Sequence, residues 1–220
     1  LSSALPDGDY AISVRFIDTA ANEVSADDPT TIDTTAPGMP EAPNLQSDSD
    51  TGLSSADEVT RESSPVFDVS PGADYYRFYR EGVQVSDEYE HGASYTVKGE
   101  SEGTWSYAIS GVDAAGNESG LSTALSGTID MTAPGAPDAP DLKASSGTGR
   151  SSTDGVTDDE TPTFAISGFA SYWRLEREGA VVSGSYETGS TYTDSALVDG
   201  TYTYLTYAVD EAANVASAYL

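Results

Sequence analysis

The chain of 220 residues carries 9 basic against 37 acidic side chains, a formal net charge of −28, and no cysteine. This excludes disulfide staples, thiolate metal sites and cysteine nucleophiles, and acidity on this scale repels nucleic acid and anionic membrane surfaces. With 37% hydrophobic residues and 14 tyrosines there is apolar surface for modest cores, and no apolar run approaches the roughly 18 residues of a membrane helix.

Residues 1–33 predict the tail of a domain. Asp7-Gly8 precedes a strand in which Tyr10, Ile12, Val14 and Phe16 alternate with Ala11, Ser13, Arg15 and Ile17. Asp18 to Asn22 is the turn, and a last strand through Pro29 to Ile32 ends at Asp33.

From Asp33 the text repeats. Asp33 to Asp130, Pro37 to Pro134 and Asp113 to Asp210 are each 97 residues apart, so residues 34–130 are expected to form one complete domain. Threonine-alanine-proline opens it with extended backbone, since proline lacks a donor and biases its predecessor toward β. Asn44 to Gln46 is a short strand, Ser47 to Ser64 a long loop rich in Asp, Ser and Gly, and the strands 65–70, 74–82, 83–86, 94–97, 104–112 and the approach to Ile129 follow. Seven short strands separated by Gly, Pro, Asp and Asn, with no helical period, read as an all-β sandwich of about 97 residues.

The next copy keeps the bulk of the inward positions: Phe67 and Val69 become Phe164 and Ile166, Tyr76 and Phe78 become Trp173 and Leu175, Trp105 and Tyr107 become Tyr202 and Tyr204. These aromatics are read as core, each stabilising by roughly 1.5 to 3 kcal/mol when buried. The period carries the end of this copy about seven positions past Leu220. Residues 131–220 are therefore expected to form a domain lacking the end of its last strand, and residues 1–33 the C-terminal part of another. The simplest account is a window on a longer array. A second is that the N-terminal hairpin completes the sheet of another copy.

The D-x-T-A-P motifs at Asp33 to Pro37 and Asp130 to Pro134, the V-D-x-A-[G/A]-N motifs at Val112 to Asn117 and Val209 to Asn214, and D-G-T-Y at Asp199 to Tyr202 resemble bacterial immunoglobulin-like repeats, the tandem modules of giant secreted adhesins of the RTX and biofilm-associated classes. The resemblance covers essentially the whole chain. It implies tandem immunoglobulin-like β-sandwiches acting outside the cell, on a bacterial surface, as a calcium-stiffened extender. The partners implied are neighbouring repeats of the same chain and, through other domains, a host or biofilm surface. Alternatives are a carbohydrate- or protein-binding module with Tyr75, Tyr79 or Tyr172 on its face, and a spacer in a secreted polysaccharide-degrading enzyme.

In such a sandwich the exit of the last strand shares a pole with the loops that meet the next domain. This places Asp33 and Asp7 near Asp113 and Asp74 at the first junction, and Asp130, Glu102 and Asp57 near Asp210 at the second. Calcium suits gathered carboxylates, because it accepts six to eight oxygens in flexible geometry, whereas zinc would want His or Cys and only His91 exists. The competing reading is that these aspartates cap turns through bonds to the backbone. Asp48 and Asp50 in the long loop form a rival ion site, present in one repeat only, because the next copy has Ser145 and Gly147 in their place. No nucleophile motif surrounds His91, and no nucleotide loop or catalytic set is apparent.

Overall fold

The computed structural model describes residues 4–217, and over them the chain is strand, turn and extended segment with no helix. It forms two compact units interleaved along the sequence: residues 4–44 with Phe67–Tyr95 and Ser106–Ser126, and Leu45–Val66 with Thr96–Trp105 and residues 127–217.

The first unit opens with an antiparallel hairpin, β1 (Gly8–Ile17) and β2 (Glu23–Ile32), in unbroken register from Gly8 opposite Ile32 to Ile17 opposite Glu23. The second strand is longer than the sequence predicts, because the turn at Asp18 to Asn22 holds both strands in register from its first residue. Ile12, Val14, Phe16 and Val24 remain exposed, so this pair of strands has little core of its own. The same unit holds β6 (Tyr75–Arg80) between β7 (Val83–Gln84) and β9 (Gly103–Val112), of which it contains residues 106–112. Tyr76, Phe78, Tyr107 and Ile109 are buried on one face of this sheet. Phe67, Phe78 and Tyr107 pack ring against ring, with centroids 4.5 to 6.0 Å apart. Phe67, Val69, Tyr76, Phe78 and Tyr107 are positions that the sequence reads as core, whereas Trp105, read with them, is only half-buried and donates its indole N–H to the Ser101 carbonyl at 3.0 Å.

In the second unit β11 (Asp141–Leu142), β12 (Thr163–Ala165) and β15 (Thr191–Thr193) form one sheet. A second sheet has the order β14 (Ala180–Val181), β13 (Tyr172–Arg177), β16 (Tyr204–Val209), β17 (Val215–Ser217). Phe164, Ile166, Trp173 and Leu175 are the buried centre, and Leu142, Phe169, Val182, Tyr192 and Tyr204 close round them. The preceding copy repeats the first of these sheets with β3 (Asn44–Leu45), β5 (Val66–Asp68) and β8 (Ser94–Thr96).

One strand was hidden in the predicted loop 47–64. Val59–Thr60 forms β4, parallel to β10 (Leu125–Ile129), with Ile129 opposite Thr60. Thr60 is fully buried and donates its hydroxyl to the Ser49 carbonyl at 2.5 Å, so a polar side chain satisfies the loop internally and leaves its backbone to pair. Two residues are too few to show a period.

Candidate functional site

Three turns with the pattern D-x-A-[A/G]-N organise the molecule: Asp18 to Asn22, Asp113 to Asn117 and Asp210 to Asn214. In each, the aspartate amide donates to the asparagine carbonyl, at 3.0, 3.1 and 3.2 Å, and the fourth residue donates back to the aspartate carbonyl. That fourth residue is left-handed: Ala21 at φ 66°, Gly116 at 89° and Ala213 at 65°. The aspartate carboxylate then fills the turn. Asp113 Oδ1 accepts from Ala115 N at 2.9 Å and Asn117 N at 2.8 Å, and Oδ2 accepts from Asn117 Nδ2 at 2.9 Å. Asp210 does the same with Asn214 N at 2.8 Å and Nδ2 at 3.1 Å, and Asp18 with Ala20 and Asn22. The Asn117 side chain, helped by the backbone N–H groups of the turn, holds the Asp113 carboxyl below its usual range against the opposing effect of burial.

The asparagine side chain has a second task. Asn117 Nδ2 also donates to the Asp33 carbonyl at 3.1 Å, and Asn214 Nδ2 to the Asp130 carbonyl at 2.8 Å, both across 84 residues of sequence. Each amide nitrogen thus bridges the end of one strand pair and the turn of the next repeat. Beside it a carboxylate ties down the threonine-rich exit. Asp7 accepts from Thr34 N and both threonine hydroxyls of Thr34 and Thr35 at 2.7 to 3.0 Å. At the second junction Glu102 accepts from Met131 N at 2.9 Å and from the Thr132 hydroxyl at 2.6 Å. Asp33 and Asp130 receive Thr35 N at 3.0 Å and Thr132 N at 3.1 Å.

The structure therefore links Asp7, Asp33 and Asp113 through threonine and asparagine groups at the first junction, and Glu102, Asp130 and Asp210 at the second. Asp74 is exposed at the head of β6 and makes no hydrogen bond to this set among the described residues. Asp57 lies in the loop before β4, where it accepts from Val59 N at 3.2 Å. Among the described residues no group of three or more His, Asp or Glu side chains is arranged around a common point as a formed metal site. Sequence reasoning passed over Asn117 and Asn214, which do the bridging. The signal was their recurrence at the 97-residue period beside the aspartates.

The second junction has a further layer. Leu53 N donates to the Glu211 carbonyl at 2.8 Å, Arg61 Nη1 to the Ala213 carbonyl at 2.8 Å, and the Tyr186 hydroxyl to the Gly52 carbonyl at 3.4 Å. Gly52 is held so close to Glu211 that a β-carbon there would lie 2.4 Å from the carbonyl oxygen. The loop 47–60 and Arg61 after it are thus docked on the 210–214 turn, each donor meeting a backbone carbonyl.

A groove of about 1020 Å³ runs along the last repeat past Phe164, Tyr202 and Tyr204. Val156 and Thr157, the counterparts of β4, are among the residues that line it.

The sequence profile of the bacterial Ig-like domain matches residues 36–131 and again 133–220. The chain belongs to the bacterial Ig-like domain family. Among characterised proteins no sequence matches it significantly. By fold the Ig-like repeats are similar to the fibronectin(III)-like modules of Clostridium thermocellum CbhA, at 15% identity and TM-score 0.47, covering 84% of this chain and 87% of that one. They are similar also to a 1.5-MDa bacterial ice-binding adhesin, at 16% identity and TM-score 0.36 over 97% of this chain and 72% of that one. A third likeness is to a Ca2+-stabilised adhesin with which an Antarctic bacterium binds ice, at 17% identity and TM-score 0.32, over 95% of this chain and 54% of that one. No helix among the described residues is long and apolar enough to cross a membrane.

Proposed function

We propose that the chain is a stalk segment of a bacterial cell-surface or secreted adhesin, built of Ig-like domains at 34–130 and 131–220 behind the end of another at 1–33. Its work is mechanical and non-enzymatic: it sets distance and stiffness for modules elsewhere. One observation carries this reading. The same asparagine bridge, to Asp33 in one place and to Asp130 in the other, closes both junctions at the same 84-residue separation. Two junctions closed by one repeated bond is what a rod needs and a lone binding module does not. The prolines at 37, 40, 43, 134, 137 and 140 stiffen the connecting segments through their fixed φ. The tyrosines of the rival reading are engaged: Tyr75 packs edge-on against Tyr89 at 5.4 Å, Tyr172 against Tyr186 at 5.6 Å, and the Tyr79 hydroxyl donates to Glu118 at 2.5 Å.

Calcium at the junctions is the finer part of the proposal, with Asp7, Asp33, Asp74 and Asp113 as candidate ligands at the first and Asp57, Glu102, Asp130 and Asp210 at the second. The donors are all oxygens, which suits a hard cation. The fit is partial, because the Asn117 and Asn214 amides already put an N–H where a bridging cation would compete for the same carbonyl and carboxylate. Thermal melting with solution scattering, in millimolar calcium and again in EDTA with magnesium, tests this. A higher melting point and a longer, straighter particle in calcium are expected, with the second-junction part of the gain lost in Asp130→Ala. Identical behaviour in both buffers would leave hydrogen bonds alone as the fastening.

A further inference from the structure

In the second repeat β10 lies between β4 and β9 in one sheet, and four bonds fasten its end. Thr128 N donates to the Glu58 carbonyl and Asp130 N to the Thr60 carbonyl, both at 2.8 Å. The Thr128 hydroxyl meets that of Thr104 at 3.0 Å, and the Thr132 hydroxyl donates to Glu102 at 2.6 Å. The partners of these four bonds have counterparts 97 residues on, at Gly155, Thr157, Thr201 and Asp199, and all of them line the groove of the last repeat. Val156 and Val198 stand exposed along it. Its two sides are thus the counterparts of the strands that flank β10, and such an edge is a template for an added strand.

The matching donors occur at one other place in the chain. Residues 31–35, T-I-D-T-T, repeat 128–132, T-I-D-M-T, with one substitution, and Ala36-Pro37 follows as Ala133-Pro134 does. The first of these stretches ends β2, which pairs with β1 in a two-stranded sheet, an arrangement that is marginal alone in water. Ile129 is 2% exposed between its neighbours, whereas Ile32, at the same place in the motif, is only half-buried.

We infer that the groove takes the strand 31–35 of a second copy of this chain, laid parallel to Val156 and Thr157, so that copies join head to tail. Thr31 N and Asp33 N of the incoming strand donate to the Gly155 and Thr157 carbonyls, and its Thr31 hydroxyl meets Thr201. Its Thr35 hydroxyl, which in the single chain donates to Asp7 at 2.7 Å, passes to Asp199. To do this β2 leaves β1, exchanging one set of main-chain bonds for another and burying Ile32 as Ile129 is buried. The contact is heterologous, one surface on each copy, and therefore propagates. Each chain carries −28, so joining works against repulsion and is favoured by salt. The stalk reading stands whether or not copies join.

The full 220-residue chain has no cysteine, which allows a crosslinking test. Thr128 lies opposite Val59, so Thr31→Cys and Val156→Cys, both at exposed positions, are prepared separately, mixed and oxidised. A disulfide-linked heterodimer is expected at ten times or more the yield obtained when Val181→Cys, exposed on β14, replaces Val156→Cys. Sedimentation velocity of the wild type, from micromolar to near-millimolar concentration, is expected to show association that strengthens with salt and is at least tenfold weaker in Ile32→Asp and in Asp199→Ala. Asp199 is exposed, so its variant keeps the fold, which far-UV circular dichroism checks. A wild-type chain that stays monomeric across this range would overturn the joining. Association unchanged in both variants, or a heterodimer no more abundant than the control, would overturn the site. A peptide of residues 25–37 that binds a chain showing no self-association would overturn the second copy as occupant and assign the groove to a strand from another source.

Discussion

The two Ig-like repeats at 36–131 and 133–220 share most of their strands, their D-x-A-[A/G]-N turns and their aromatic core, yet they place charge differently inside the same frame. The second repeat keeps Val97 buried, and the third carries Asp194 at the same position. There the carboxylate side chain is 1% exposed and receives Arg177 Nη1, the Tyr204 hydroxyl and Ser195 N, each at 2.7 Å. The second repeat instead sets Glu118 against Arg77, Tyr79 and Ser110, where the third has Val215, Arg174, Glu176 and Tyr207. Frame positions tolerate exchange only for like bulk. Polar networks can be moved, because each is satisfied within itself and asks nothing of the other repeat.

The strongest break in this comparison is Asp194→Val, which writes the second repeat's residue into the third. It leaves the Arg177 guanidinium and the Tyr204 hydroxyl without their shared acceptor. Removing one partner of a buried pair costs about 3 kcal/mol where the other partner keeps some access to water, and Arg177 keeps 24%. Urea unfolding followed by Trp173 fluorescence should show that loss. The same group predicts a pH dependence. Burial alone would raise the Asp194 carboxyl, but the bonds from Tyr204 and Arg177 outweigh it and hold it below 3.8. A depressed folded pKa gives stability that is complete above the unfolded value and is lost as pH falls through the folded one. The acid limb of the third repeat's stability, below about pH 4, should therefore flatten in Asp194→Asn.

Next in size is the docked loop. A side chain at Gly52 would meet the Glu211 carbonyl at 2.4 Å and the Val59 carbonyl at 3.0 Å, whereas at Gly149, the same place in the third repeat, the nearest atom is 3.5 Å away. Gly52→Val is expected to cost about 2 kcal/mol of overpacking and to undock the loop, and Gly149→Val well under about 1 kcal/mol. Hydrogen exchange at Leu53 N, which is bonded to Glu211, separates the two outcomes. Equal cost at both glycines would mean that backbone freedom, and not the contact, explains Gly52.

Much of this was legible in the letters because it rests on period and bulk. Phe67, Tyr76, Phe78 and their counterparts 97 residues on could be assigned to the core without knowing a contact. Val59–Thr60 could not, because a two-residue strand gains its partner from β10, far away in sequence. The junctions were legible in place but not in chemistry. Aspartates gathered at a sandwich pole look alike whether they hold an ion or a turn, and the choice lies in where the Asn117 and Asn214 amides point, which no sequence spacing records. The docking of Gly52 on Glu211 was out of reach for the same reason: glycine in a loop has many causes, and only the 2.4 Å approach picks one.

The asparagine bridges test the junctions against each other. Asn117→Ala and Asn214→Ala each remove bonds to one carbonyl and one carboxylate, for about 1 kcal/mol apiece. The mechanical effects should differ. At the first junction the bridge and Asp7 are the described fastenings, so Asn117→Ala should make the Thr34 to Ala36 segment markedly more sensitive to limited proteolysis. At the second, Leu53, Arg61 and Tyr186 still hold the turn, and Asn214→Ala should leave the Met131 to Ala133 segment nearly as resistant as before. Equal sensitivity at both would show that the docked loop adds no stiffness.

The smallest effect refines the turn itself. Gly116 holds φ 89° in the second repeat, and Ala213 holds φ 65° at the same position in the third. A left-handed alanine costs roughly 1 to 2 kcal/mol through its β-carbon, while glycine returns part of that as greater freedom in the unfolded chain. Ala213→Gly should therefore stabilise the third repeat by about 0.5 kcal/mol net, and Gly116→Ala should destabilise the second by a similar amount. Ala213 N keeps its bond to the Asp210 carbonyl in either form, so the difference isolates φ from hydrogen bonding. If the glycine variant melts lower, the methyl group of Ala213 must be packing beside the Arg61 contact with its carbonyl. The alanine would then be part of the docked interface, a role for which the second repeat's glycine has no counterpart.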